Sequence, residues 1–187
     1  SVDNHVVLTD SGGEVEQALH YEVNYAPVEA LLLDVPPQLL ERPGFGVWQD
    51  GEQLKPTKAV LAEAAGQRRV PMQVALREPR IGACDLVVRF PLDWEPLPLD
   101  ASAVREVPLV MPTQGELAGH RTLVTGEPGI DVQVHGSGWT TEPFPPTADA
   151  ATDALRLQTA ERTARLELRL SLRDRRPFGG GIVDRLW

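Results

Sequence analysis

Few residues in this chain have the type and spacing to do chemistry. Asp93, Glu95 and Asp100 surround Trp94. Two carboxyls at a set separation across a cleft are what glycoside hydrolysis needs. A tryptophan among carboxylates could equally grip a sugar ring. Trp139, just past the turn Gly136-Ser137-Gly138, could offer a second stacking face. Trp94 and Trp139 are therefore the candidate ligand-binding residues. The competing reading is that both rings pack a core or a domain junction, as large aromatics commonly do.

Other chemistries find less support. His5, His20, His120 and His135 fall in no HExxH, HxH or HxxxH spacing, and a metal site wants several ligands converging from rigid elements. Ser137 lies between glycines, which a turn explains, and no G-x-S-x-G occurs. No phosphate-binding glycine loop is present. The lone Cys84 opens an apolar strand, Cys84 to Phe90, and reads as a buried structural thiol. Asp3, Asp10, Glu14 and Glu16 are the weak place to look for calcium, without an EF-type loop. No catalytic residue, metal or cofactor is expected.

Charge narrows the partners. Acidic residues number 27 against 18 basic, for a formal net charge of -9. A nucleic-acid reader needs a basic stripe to neutralise phosphates. Arginines do gather at Arg162, Arg165, Arg169, Arg173, Arg175 and Arg176, but Glu161, Glu167 and Asp174 interleave with them. That pattern is a solvated strand face, so no nucleic acid is expected. No apolar run is long enough to span a membrane as a helix.

The elements that would carry these residues are strands. From Ala164 to Leu172 every even position is apolar and every odd one polar, the period of a strand with one buried face. Local helix propensity is high there, but a helix would scatter the leucines round its circumference. The same alternation marks Tyr21 to Tyr25, Val70 to Leu76, Leu86 to Phe90, Ile130 to Val134 and Leu155 to Leu157. A first strand lies near His5 to Thr9. Val28 to Val35 is more continuously apolar and reads as buried on both sides. Ser11-Gly12-Gly13, Asp50-Gly51 and Glu127-Pro128-Gly129 supply turns, and Asp50-Gly51 suits a type I′ hairpin. Prolines beside the strands keep edges from pairing with neighbours. Lys58 to Gly66 reads as a short helix or an Ala-rich strand.

The fold expected is all-β: one or two antiparallel, immunoglobulin-like β-sandwich domains with at most one short helix. Pro91 to Ser102, rich in proline, is the best internal boundary. It divides a domain at 1–100 from a second at 101–178. Residues 179–187 form a hinge and the start of a further strand, which suggests a chain cut from something longer. Glu142 to Thr152 reads as a long surface loop.

In texture, Glu29 to Pro36, Gly82 to Phe90, Val104 to Pro112 and the Gly-rich exit into Trp187 resemble segments of the large tandem β-sandwich envelope proteins of some bacteria. The resemblance implies export, an extracellular or periplasmic location, and a structural or adhesive part. It carries no active-site residues. The leading expectation is a non-catalytic structural or interaction module. Its partners would be neighbouring domains of the same polypeptide or another envelope protein. The alternatives are a carbohydrate-binding module using exposed tryptophan and a hydrolase with dispersed carboxylates.

Overall fold

A computed structural model describes residues 1–59, 69–143, 154–163 and 165–173. The chain is an all-β sandwich. Its strands are β1 (Val2–Thr9), β2 (Gly12–Val35), β3 (Gly46–Gln49), β4 (Glu52–Leu54), β5 (Thr57–Lys58), β6 (Val70–Asp93) and β7 (Ala103–Pro108). They continue with β8 (Met111–Pro112), β9 (His120–Gly126), β10 (Ile130–His135), β11 (Thr140–Thr141), β12 (Ala154–Thr159) and β13 (Arg165–Leu172). The single helical turn among the described residues, α1 (Pro37–Leu40), follows Pro36 and starts on a proline, which needs no amide donor at that position. Of the segment read as a short helix or strand, Lys58 belongs to β5 and residues 60–66 lie outside the described residues. So do residues 179–187 and most of the loop expected from Glu142 to Thr152.

One sheet runs β11-β12-β9-β1-β2-β6-β3-β4, with β5 on β6 and β8 on β2; a second is β10-β13-β7. The boundary expected near residue 100 does not separate two sheets. β9 pairs in parallel with β1, Val2 beside His120 and Val6 beside Val124, so strands from both sides of the proline-rich seam share one sheet. The seam itself is tied down: Trp94 and Leu97 donate their backbone N–H groups to the carbonyls of Ser11 and Asp10.

β2 and β6 replace four expected strands. Each has 24 residues, and they pair along their whole length except for register shifts between Val23 and Ala30. Pro27 and Gly82 sit at this bulged stretch, where an unpaired residue bends a strand without ending it. Tyr25 takes a positive φ of 75° there. The ribbon is folded back on itself. Val35 pairs with Val70, yet Arg42 Nη1 donates to the Pro91 carbonyl at 2.8 Å. Residues 70 and 91 on a straight strand would lie about 70 Å apart. The seven-residue step from 35 to 42 reaches only about 25 Å.

The folded-back half and the three-stranded sheet thus close over the larger layer on one continuous core. Leu8, Leu19, Leu86, Val88 and Val124 meet Leu33, Val74, Leu109, Leu166 and Leu168, all fully buried. Val28 to Val35 is not buried on both sides: Leu31, Leu33 and Val35 are buried, Glu29 on the same side is exposed, and the other side is half-buried. Asp50 and Gly51 both carry positive φ between the paired Gln49 and Glu52, which is the type I′ hairpin anticipated from the sequence. Of the late arginines, Arg165 on β13 pairs with Glu106 and Glu167, and Arg173, just past that strand, with Asp131; Arg175 and Arg176 lie outside the described residues.

Candidate functional site

The inner face of the large sheet carries a polar row. Register sets Gln17 beside Asn4 and Asn4 beside Thr122, and all three side chains are buried. Asn4 Nδ2 lies 2.7 Å from Thr122 Oγ1, 3.0 Å from the Arg121 carbonyl and 2.9 Å from His120 Nε2, three acceptors that share its two protons. Gln17 Nε2 donates to Asn4 Oδ1 at 2.8 Å, and Gln17 Oε1 accepts from the Val110 backbone N–H at 2.8 Å. Gln17 Nε2 also reaches the Val110 carbonyl at 3.3 Å. Arg69 donates to the carbonyl of Leu109. Leu109 and Val110 cross the core between β7 and β8 outside any ladder, so their backbone groups need side-chain partners. The row supplies them.

His120 closes this row. Its Nε2 accepts from Asn4, which places the ring proton on Nδ1, and Nδ1 has no partner of good geometry. Its ring meets Trp139 edge-on at 4.8 Å. Burial holds the imidazole down at about 4, offset in part by the Glu161 backbone and by Asp3.

On the outside, an open groove of about 800 Å³ runs beside β2. One wall is β2 itself, from Leu19 to Tyr25, with Ala83 and Asp85 of β6. The other is the segment from Pro112 to Ala118. That wall is fixed at both ends: Thr113 N donates to the Leu32 carbonyl, and the Gly119 carbonyl accepts from Val2 N. Arg162 grips it in the middle through the carbonyls of Pro112 and Gly115. His20 spans two carboxylates at the groove's edge, Nδ1 at 2.9 Å from Asp85 and Nε2 at 3.4 Å from Asp3. Asp3 is held in turn by Arg121 at 2.8 Å. Tyr21 lines the groove with its hydroxyl buried and unpartnered, and burial, reinforced by Cys84, pushes that phenol up. Tyr25 stands at the mouth, wholly exposed.

The residues singled out from the sequence do not converge here. Trp139 is 8% exposed and donates Nε1 to the Arg165 carbonyl at 3.2 Å, so it shows no face to a sugar. Trp94 is half-buried against the core with its indole nitrogen inside. Asp93, Glu95 and Asp100 are exposed along the seam. Of the acids considered for calcium, Asp3 and Glu16 are engaged by Arg121 and Arg89, and no group of three His, Cys, Asp or Glu among the described residues is placed to hold a metal. Cys84 is buried, and burial pushes its thiol up. A thiol in that state reacts slowly. The folded chain should leave Ellman's reagent unreacted and release one equivalent of colour only on unfolding; rapid native labelling would contradict the burial.

Asn4, Gln17, Thr122 and His120 were not anticipated as partners. A signal was present: each occupies the apolar phase of its strand. Which strands then meet is set by register, and register is tertiary.

No family model and no curated protein sequence matches the chain. Among solved structures it is similar to an M1 zinc metallopeptidase from Deinococcus radiodurans, with 12% identity and a TM-score of 0.44 over 91% of this chain and 41% of that one. A mutant of that enzyme bound to a Tyr-Ser-Ala substrate gives 12% identity and a TM-score of 0.45 at the same coverage. The chain spans less than half the length of these neighbours, and at this similarity they lend it neither residues nor activity.

Proposed function

We propose that this chain is a non-catalytic β-sandwich interaction module of an exported bacterial envelope protein, holding a partner rather than transforming it. The observation that carries the reading is the groove along β2, walled by a segment fixed at both ends and in the middle. A rigid wall beside a strand is suited to holding an extended partner. Much of the outer sheet's charge is already matched in Arg121–Asp3, Arg89–Glu16 and Arg80–Asp50 contacts. Neighbouring segments of the same polypeptide or another envelope protein are the partners proposed, outside the cytoplasm.

Fractionation of the source cells tests this. The chain should be recovered with the envelope, cross-linked to a defined protein neighbour at stoichiometric yield. Recovery in the cytosol without such a neighbour would overturn the reading. A second expectation concerns sugars. Trp139 is buried, and Trp94 is half-buried against the core with its indole nitrogen inside, so soluble oligosaccharides should leave tryptophan emission unchanged. A saturable quench that Trp94→Ala abolishes would replace this proposal with the carbohydrate-binding one.

A further inference from the structure

We infer that the groove beside β2 takes an extended, basic segment of a partner protein, added to the sheet as a strand; this rests on the interaction-module reading. β2 is covered by β1 as far as His20, whose N–H meets the Ser1 carbonyl. It is covered again at Leu33 and Asp34 by β8, with Thr113 N on the Leu32 carbonyl. Between those points no described strand pairs with this side of β2. Groups of one strand edge alternate with period two. His20 points to this side, so Glu22 does as well. Leu32 points there too, and so does Ala30. The open stretch contains the register shifts between Val23 and Ala30, and the groove lies along its first part, as far as Tyr25. An unpaired edge of this kind is a template for another chain.

The opposite edge differs. Along β6, Arg77 and Arg80 are tied to Glu52 and Asp50 of the β3–β4 hairpin, so charged side chains fill the place an incoming strand would need. On β2, from Tyr21 to the bulge that follows Val23, no such tie occurs among the described residues, and this part borders the open groove.

The lining selects the occupant. Glu22 and Glu116 are exposed in the groove without a basic partner among the described residues, while His20 engages Asp85 and the Ser1 ammonium is tied to the His20 carbonyl. The chain as a whole carries -9, which steers basic partners toward it. Leu19, Tyr21 and Leu117 supply the apolar side, and Tyr25 the mouth. A strand of alternating basic and apolar residues meets both. A second copy of this chain would set Glu22 against the same acids, so self-pairing is disfavoured.

The test is titration of the intact chain with a capped hexapeptide of alternating lysine and valine, read by backbone NMR and hydrogen exchange. Saturable binding should slow exchange of the Glu22 and Asn24 amides by about tenfold or more, the signature of new ladder bonds. The surface variant Glu22→Lys/Glu116→Lys, checked for folding by circular dichroism, should weaken binding by about tenfold or more. A glutamate–valine hexapeptide should not bind. The inference is overturned by no binding, by binding without protection at Glu22 and Asn24, or by binding that ignores the charge reversal. If the peptide fails while the envelope cross-link persists, the module reading stands and only this edge is wrong. If the peptide binds as expected and the chain is cytosolic without a neighbour, the envelope reading fails alone.

Discussion

Gln17→Leu lowers the unfolding free energy by about 3 kcal/mol, although the side chain hardly changes in size. The reason is what the amide touches. Its oxygen accepts the Val110 N–H and its nitrogen donates to Asn4 Oδ1, both at 2.8 Å and both buried. Leucine fills the space and bonds neither. Each stranded polar group costs about 1–3 kcal/mol, because water cannot replace the lost partner. The extra apolar burial offsets only part of this. Urea unfolding followed by tryptophan emission should show a lower midpoint with an unchanged slope, the mark of lost stability in an unaltered fold.

Two companions make the result specific. Glu16→Gln lies on the outer face of the same strand, in an exposed pair with Arg89. Exposed pairs contribute little, so that change should cost less than about 1 kcal/mol. Asn4→Leu combined with Gln17→Leu should cost less than the two single changes added together, since each removes a group the other had stranded. A neutral Gln17→Leu would mean that the polar row does not stabilise the core crossing at Val110.

The fold class was legible because alternation is a local property. Leu166, Leu168 and Leu170 share one face of β13 and are fully buried, as the period-two run requires. Asp50-Gly51 announced its hairpin for an equally local reason. The two long strands were not legible. Pro27 and Gly82 are ordinary punctuation in a sequence, and only the opposing strand decides whether such residues end a ladder or bulge it. The proline-rich seam misled in the same way. It is an extended connector, but the β1–β9 pairing that runs past it joins residues more than a hundred apart. The groove is built likewise, from β2 and a wall nearly ninety residues later. No window of sequence contains both sides. Trp94 and Trp139 attracted attention by type alone; burial, which decides whether an aromatic stacks on a ligand or fills a core, is not written in type.

Acid should weaken this protein through His120. Burial holds its folded-state pKa down at about 4, against about 6.5 when unfolded. The neutral ring is the form the core accepts, because Nε2 already accepts from Asn4 and a second proton would set donor against donor. Between those two values the unfolded chain binds a proton that the folded chain refuses, so stability rises with pH across that window. The contribution is complete above about pH 6.5 and is lost as pH falls toward about 4, to a total of about 3 kcal/mol. Other groups titrate nearby, so the measurement must isolate this one. His120→Gln retains a polar side chain without the ionisation. It is less stable than the parent at pH 7, because Gln cannot reproduce the ring's contacts with Asn4 and Trp139. That gap should close by about 3 kcal/mol between pH 7 and pH 4, as only the parent is penalised by acid. Parallel stability curves would show that the imidazole titrates freely and that the row does not hold it neutral.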